Sequence, residues 1–327
     1  MRGLIARLGL CVAVLLGVPA AATAQTAQAP LPRTVKIVVP FSPGASNDAV
    51  ARAIAVPLAQ RLNATVIVEN KAGAAGVIGA DAVAKSPHDG SVLLLTSSTF
   101  LTAAATQPRL PYDPIAAFAP VAMVGEGPLL LAVSASTPFK STEDLLAAAR
   151  AKPDALTYGT AGVGSIGHLA TVLLGDAAKV KLTHVPYKGA ANAAQDMGGG
   201  QIDVMVSNYS TLAPLMQKDG GRVRALAVTS KQPHPSFAGL PPLASSVPGY
   251  EMDIWIGVFA PAGTPPAIVE RLNREINAIS ASAELAVVLG PDGTLPQSMS
   301  PAAFAARVKD ELAKWKQLAA AHKIVAE

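Results

Sequence analysis

The residues best placed to do chemistry stand in Gly162-Val163-Gly164-Ser165-Ile166-Gly167, followed directly by His168 and later by His184. The glycine spacing satisfies a dinucleotide fingerprint, follows a short predicted strand and opens a predicted helix. That motif also needs an acid about 20 positions on to hold a ribose hydroxyl. The next strand ends instead in Val185-Pro186-Tyr187-Lys188. The same run nearly matches a nucleophile elbow, but Val163 stands where that turn needs glycine. His168 follows Ser165 too closely on the helix to serve it as a base, and no acid is placed to orient the imidazole. What remains is a glycine loop running into a helix N-terminus, whose free N–H groups suit an anion.

A second stretch has the same character. Val38-Val39-Pro40-Phe41-Ser42-Pro43-Gly44-Ala45-Ser46-Asn47-Asp48 reads as a strand, a loop and the start of a helix. The β-branched run Val35 to Val39 gives the strand, and Pro40, Pro43 and Gly44 give the loop. Val50, Ala53, Ile54, Leu58 and Leu62 give the helix, with Ser46 or Asn47 as expected N-cap and Asp48 in the first turn. Pro57 predicts a kink near Ala53.

The elements that must position these loops alternate between strand and helix. Thr65 to Val68 and Val92 to Leu95 read as strands, the first leading through Gly73 and Gly76 to a helix over Val77 to Lys85. Leu129 to Val133, Leu156 to Gly159, Leu182 to Tyr187, Ile202 to Val206 and Val223 to Thr229 read as further strands. Their apolar runs predict parallel sheets covered on both faces, with ligands at the strand ends. Pro108, Pro111, Pro114 and Pro120 predict a long irregular connection. Phe304, Val308, Leu312, Trp315 and Leu318 give the helix Pro301 to Ala321 a core-facing stripe.

Composition narrows the function. Met1 to Ala24 has a charged start, an apolar centre and the small-residue site Ala22-Thr23-Ala24, so an exported chain with a leader cleaved near Ala24 is expected. The lone cysteine, Cys11, falls within that leader, in a poor lipobox, so no disulfide or thiol chemistry is expected. The net charge of +4 includes Arg2 and Arg7, and the basic residues are scattered, which excludes a nucleic-acid footprint. The five histidines show no metal-ligand spacing. No metal or other cofactor is expected.

In their order along the chain, the motifs resemble the periplasmic receptors of the tripartite tricarboxylate transporters, the Bug family. They are Pro40-Phe41-Ser42-Pro43-Gly44 through Asp48; Glu69-Asn70-Lys71-Ala72-Gly73 with Gly76; Leu110-Pro111-Tyr112-Asp113-Pro114; Tyr158-Gly159-Thr160 through Gly164-Ser165 and His168-Leu169; and Pro186-Tyr187-Lys188-Gly189 leading to Gly199-Gly200-Gln201-Ile202-Asp203. The resemblance implies an α/β type II periplasmic-binding fold. Each lobe would be a mainly parallel sheet flanked by helices, with two crossing segments. Residues 25–127 with 254–327 would form one lobe and 128–253 the other.

The resemblance further implies a small carboxylate held between the lobes by backbone N–H groups and hydroxyls. Phe41, Ser42, Gly44, Ala45, Asp48 and Ser97 are the expected binding residues of the first lobe. Thr160, Gly164, Ser165, His168, Tyr187, Gly189 and Asp203 are those of the second. Asp48 is expected to hold the loop's own N–H groups rather than the ligand. Ala45 stands where the family commonly has a second glycine, which would strain the loop if that position needs φ > 0. The expected protein is a monomer whose partner is the permease of a tripartite transporter, or else a sensor kinase. An exported enzyme built on Gly162 to His168 is the remaining alternative.

Overall fold

The computed structural model describes residues 31–216 and 220–326; the expected leader lies outside them. The chain begins with β1 (Thr34–Val39), α1 (Ser46–Leu62), β2 (Thr65–Asn70), α2 (Val77–Ala84), β3 (Val92–Ser97) and α3 (Thr99–Thr106). Next come β4 (Phe118–Pro128), β5 (Leu130–Ser134), α4 (Thr142–Ala151), β6 (Thr157–Thr160), α5 (Ile166–Ala178), β7 (Thr183–Pro186) and α6 (Ala190–Gly198). The rest comprises β8 (Val204–Ser207), α7 (Tyr209–Leu212), β9 (Val223–Val228), β10 (Asp253–Pro261), α8 (Pro266–Ser280), α9 (Ala283–Leu289), β11 (Leu295–Pro296) and α10 (Pro301–Ala321).

Two sheets result, ordered β11-β4-β10-β3-β1-β2 and β7-β6-β8-β5-β9. Both are mixed. In the first, β1, β2 and β3 are parallel, whereas β10 runs antiparallel to β3 and β4. In the second, β6 is parallel to β7 and β8, whereas β5 is antiparallel to β8 and β9. Each antiparallel pairing among the described residues involves a strand that carries the chain between sheets: β4 continues into β5 across Leu129, and the chain returns from β9 to β10. At the crossing the Leu129 N–H donates to Thr229 Oγ1 at 2.7 Å, the Thr229 N–H donates to the Leu129 carbonyl, and the Met252 N–H donates to the Thr229 carbonyl. A buried hydroxyl thus ties the two crossing strands together.

Burial on both faces explains the unalternating strands. Val35, Ile37 and Val39 of β1 join Val50, Ile54 and Leu58 of α1 in one apolar cluster, while Val38 joins Val83, Phe259 and Phe304 in another. All five apolar stripe residues of α10 are buried, with Phe304 edge-on to Trp255. Helix α1 runs unbroken from Ser46 to Leu62 through Pro57. Two elements emerge from the stretch expected to be irregular or left unassigned, α3 and β4.

Candidate functional site

The two glycine loops fold in the same way. In the first, Gly44 takes φ +82° and Ala45, at φ −69° and ψ 160°, is the N-cap of α1. In the second, Gly164 takes φ +77° and Ser165, at φ −65° and ψ 158°, is the N-cap of α5. The Ala45 N–H donates to the Ser42 carbonyl and the Ser165 N–H to the Gly162 carbonyl, both at 3.2 Å. Neither N-cap side chain caps its helix. Instead, the side chain four residues past each glycine accepts the glycine N–H: Asp48 Oδ2 from Gly44 at 2.8 Å, and His168 Nδ1 from Gly164 at 3.1 Å.

This pattern corrects two expectations. The N-cap is Ala45 rather than Ser46 or Asn47, and its extended backbone suits any L residue, so the missing second glycine carries no strain. The left-handed position is Gly44.

Asp48 is buried and fully engaged. Arg52 Nε donates to its Oδ2 at 3.0 Å, and Asn70 Nδ2 donates to its Oδ1 at 2.9 Å and to the Phe41 carbonyl at 3.1 Å. The Arg52 hydrogen bond, with those from Gly44 and Asn70, holds the carboxyl down at about 2 despite its burial. Arg52 and Asn70 were not expected at the site; Asn70 belongs to a quoted motif, whereas Arg52 had no signal beyond its i,i+4 spacing from Asp48.

In the second loop two imidazoles do the holding. His184 Nε2 lies 2.7 Å from Thr160 Oγ1, and its ring stacks on His168 with centroids 3.9 Å apart. Ser165 Oγ donates to the Gly162 carbonyl at 2.7 Å. Burial lowers both histidines to about 4, with the neighbouring His184 adding to the effect on His168, so both are neutral near pH 7.

Among the described residues, the N–H groups of Ser46, Asn47, Asp48, Ile166, Gly167 and His168 have no acceptor within the protein. Each helix start therefore offers three donors and the positive end of a helix dipole. Ser97 is buried at the end of β3, next to the parallel β1 whose end carries Phe41. Helix α3 then runs from Thr99 to Thr106, which lies against Gly164: a Cβ on that glycine would sit 2.1 Å from Thr106 Oγ1. Tyr187 donates its N–H to the Thr160 carbonyl and its hydroxyl to Asp196, and Gly189, at φ 177°, opens α6.

Asp203 is not brought to this end of the sheet. It precedes β8, where its Oδ2 accepts from the Thr157 N–H at 2.8 Å and the Thr157 hydroxyl at 3.0 Å. It ties the starts of two strands whose ends carry Thr160 and Ser207. Among the described residues, no group of His, Cys, Asp and Glu could hold a metal ion, and no helix is long and apolar enough to cross a membrane.

Two α/β lobes joined by paired crossing strands, with glycine-loop helix starts at the strand ends, define a solute-binding protein of the periplasmic-binding type. The model of the tripartite tricarboxylate transporter family receptor matches residues 50–324, and the chain belongs to that family. Protein BugT of Bordetella pertussis is 34% identical over 96% of each chain. The Rhodopseudomonas palustris protein Rpa4515, solved with adipate, superposes with TM-score 0.79 at 36% identity, covering 90% of this chain and 98% of its own. MatC of the same organism, solved with malate, gives 0.75 at 32% identity over 88% and 98%. Receptors of this family are periplasmic.

Proposed function

We propose that this chain is an exported periplasmic receptor that encloses a small carboxylate between its lobes and delivers it to the permease of a tripartite transporter. The observation that carries the reading is the matched pair of loops at residues 44–48 and 164–168, each leaving three helix-start N–H groups free. A carboxylate has lone pairs for several such donors, and charge-assisted bonds of this kind are the strong ones. The family and the adipate and malate bound by its relatives support the same class of ligand.

The first loop is set by a charged network and the second by neutral rings, so the anion meets preformed donors on both sides. Closure follows from differential affinity: an anion touching both helix starts binds the closed arrangement better than the open one. Phe41, Ser42 and Ala45 border the first set of donors and Thr160, Ser165, Tyr187 and Gly189 the second. Asp48 and His168 act through Gly44 and Gly164 as well as offering their own N–H groups.

A thermal-shift series with adipate, malate and related acids, followed by calorimetric titration, tests this. Ligand at 100-fold over Kd adds about 2.7 kcal/mol, a clear rise in melting temperature, with one ligand per chain. If no carboxylate raises the melting temperature and native mass spectrometry finds no co-purifying acid, the reading fails.

A further inference from the structure

The second loop is held at two points by one aromatic unit. His184 reaches Thr160 Oγ1 where β6 ends, and that hydroxyl lies 3.2 Å from both the N and the O of Gly162. His168 accepts from Gly164 at the start of α5. The two imidazoles are parallel within 12°, and Tyr158 lies 4.9 Å from the His184 ring at 21°. Because β7 carries His184 and α5 carries His168, the stack also fixes a strand against a helix. Lobe 1 achieves the same loop geometry with a carboxylate, an arginine and an amide, so the imidazole pair is this lobe's own solution.

We infer that His184 is a positioning residue for ligand binding, holding Thr160 and the His168 ring so that Nδ1 faces Gly164 and the helix-start donors of residues 166–168 keep their aim. The inference rests on the carboxylate-binding reading for its role in affinity, though not for its geometry. For Gly164 to donate to Nδ1, His168 must be neutral with its proton on Nε2. Protonating Nδ1 sets two donors face to face, and the loop must then rearrange.

The groups around His168 all bear on this. Tyr158 comes from β6 and His184 from β7, while His322, beyond α10, is 2.7 Å from Asp176 of α5. From α3, the uncharged Thr106 lies against Gly164, whose N–H His168 accepts. A cavity of about 530 Å³ beside Tyr158 adds Asp154, Lys179 and Lys181. Burial, His184 and His322 all disfavour the charged imidazole.

The test starts without ligand. Long-range proton–nitrogen spectra of the full mature chain read the His168 tautomer, and acid titration follows the Gly164 amide. The wild type should show the Nε2–H form, with ring and amide titrating together near pH 4. His184→Ala should mix the tautomers, move the midpoint toward an ordinary histidine value and weaken adipate binding about tenfold. His184→Phe keeps the stack without the hydrogen bond, and His184→Gln keeps the bond without the stack. Each should give a smaller loss, and these two carry the comparison if the alanine variant does not fold. An unchanged tautomer, midpoint and Gly164 amide shift in the variants would overturn the inference. Failure of adipate and the other acids to bind wild type would count against the carboxylate reading, while the ligand-free spectra still decide on His184.

Discussion

Gly164→Ala should weaken ligand binding by blocking the seat between the lobes, and its size can be separated from backbone strain. The added Cβ would stand 2.1 Å from Thr106 Oγ1 and 3.0 Å from Thr106 Cβ, well inside the 3.4 Å at which ordinary contact begins. Gly44→Ala is the control: its φ of +82° nearly equals the +77° of Gly164, but a Cβ there meets nothing within 4 Å. Both variants carry left-handed strain of about 1 kcal/mol. The clash should add about 1–3 kcal/mol at Gly164 alone, as for other overpacked positions. Urea unfolding, followed by the buried Trp255 and Trp315, measures the stability difference, and calorimetry with adipate measures affinity. Where closure carries the clash, affinity falls about tenfold for each 1.4 kcal/mol. Thr106→Ala in the Gly164→Ala background removes the nearest atom and should recover about 1 kcal/mol. The reasoning is refuted if Gly164→Ala costs no more than Gly44→Ala and Thr106→Ala restores nothing.

Asp48→Ala removes three hydrogen bonds and exposes the first loop to collapse; with the share of the half-exposed Arg52 discounted for solvent screening, a loss of about 2–3 kcal/mol is expected in urea. Because the folded-state pKa of Asp48 is depressed, its contribution is present above about pH 4 and is lost as the pH falls toward 2, so the variant and wild type should converge in acid. The two histidines act in a different window. Their folded pKa values are lowered, so the unfolded chain takes up protons first, and stability should begin to fall below about pH 6.5 and continue to about pH 4, by at most about 1.4 kcal/mol per pH unit for His168. A melting temperature flat across that window would contradict the burial of neutral imidazoles. Asp253, the first residue of the returning strand β10, is raised to about 7 by burial and the nearby Glu126 and Glu251, and its Oδ1 is buried without a hydrogen-bond partner among the described residues. Asp253→Asn should therefore stabilise the protein at pH 8 by roughly 1–2 kcal/mol, with the gain gone at pH 4, where the aspartate is neutral in the fold.

The alternation of strands and helices, both glycine loops and the α10 stripe were legible because each rests on local rules of turn residues and periodicity. Helix α3 was not, since Thr99-Phe100-Leu101-Thr102-Ala103-Ala104 is buried at all but one of its positions and so shows no polar face. Strand β4 (Phe118–Pro128) was hidden because Pro120, near its start, groups with Pro108, Pro111 and Pro114 in one irregular connection, and Gly125 and Gly127 give it no strand signal. Its glycines are there because residues 293–295 pass so close that a Cβ on Gly127 would lie 2.9 Å from the Gly293 carbonyl oxygen. The mixed sheet direction is set by the crossing strands, a long-range feature no window of sequence contains. At the site, the loops could be placed but not their fastening. An N-cap with no capping side chain, replaced by a residue three further on, follows no common capping rule, and the His168–His184 stack joins residues on separate elements. Asp203 shows the converse: it stands in a quoted motif and was expected within a strand at the site, but it precedes β8 and sits at the end of that strand away from the loops.

In the proposed binding mode both lobes grip one anion through their helix starts. Hydrogen exchange with and without saturating adipate or malate reads those amides directly. Protection should rise together at residues 46–48 and 166–168 for an acid that binds one per chain. A bound carboxylate that protects neither helix start, or one lobe alone, would contradict it.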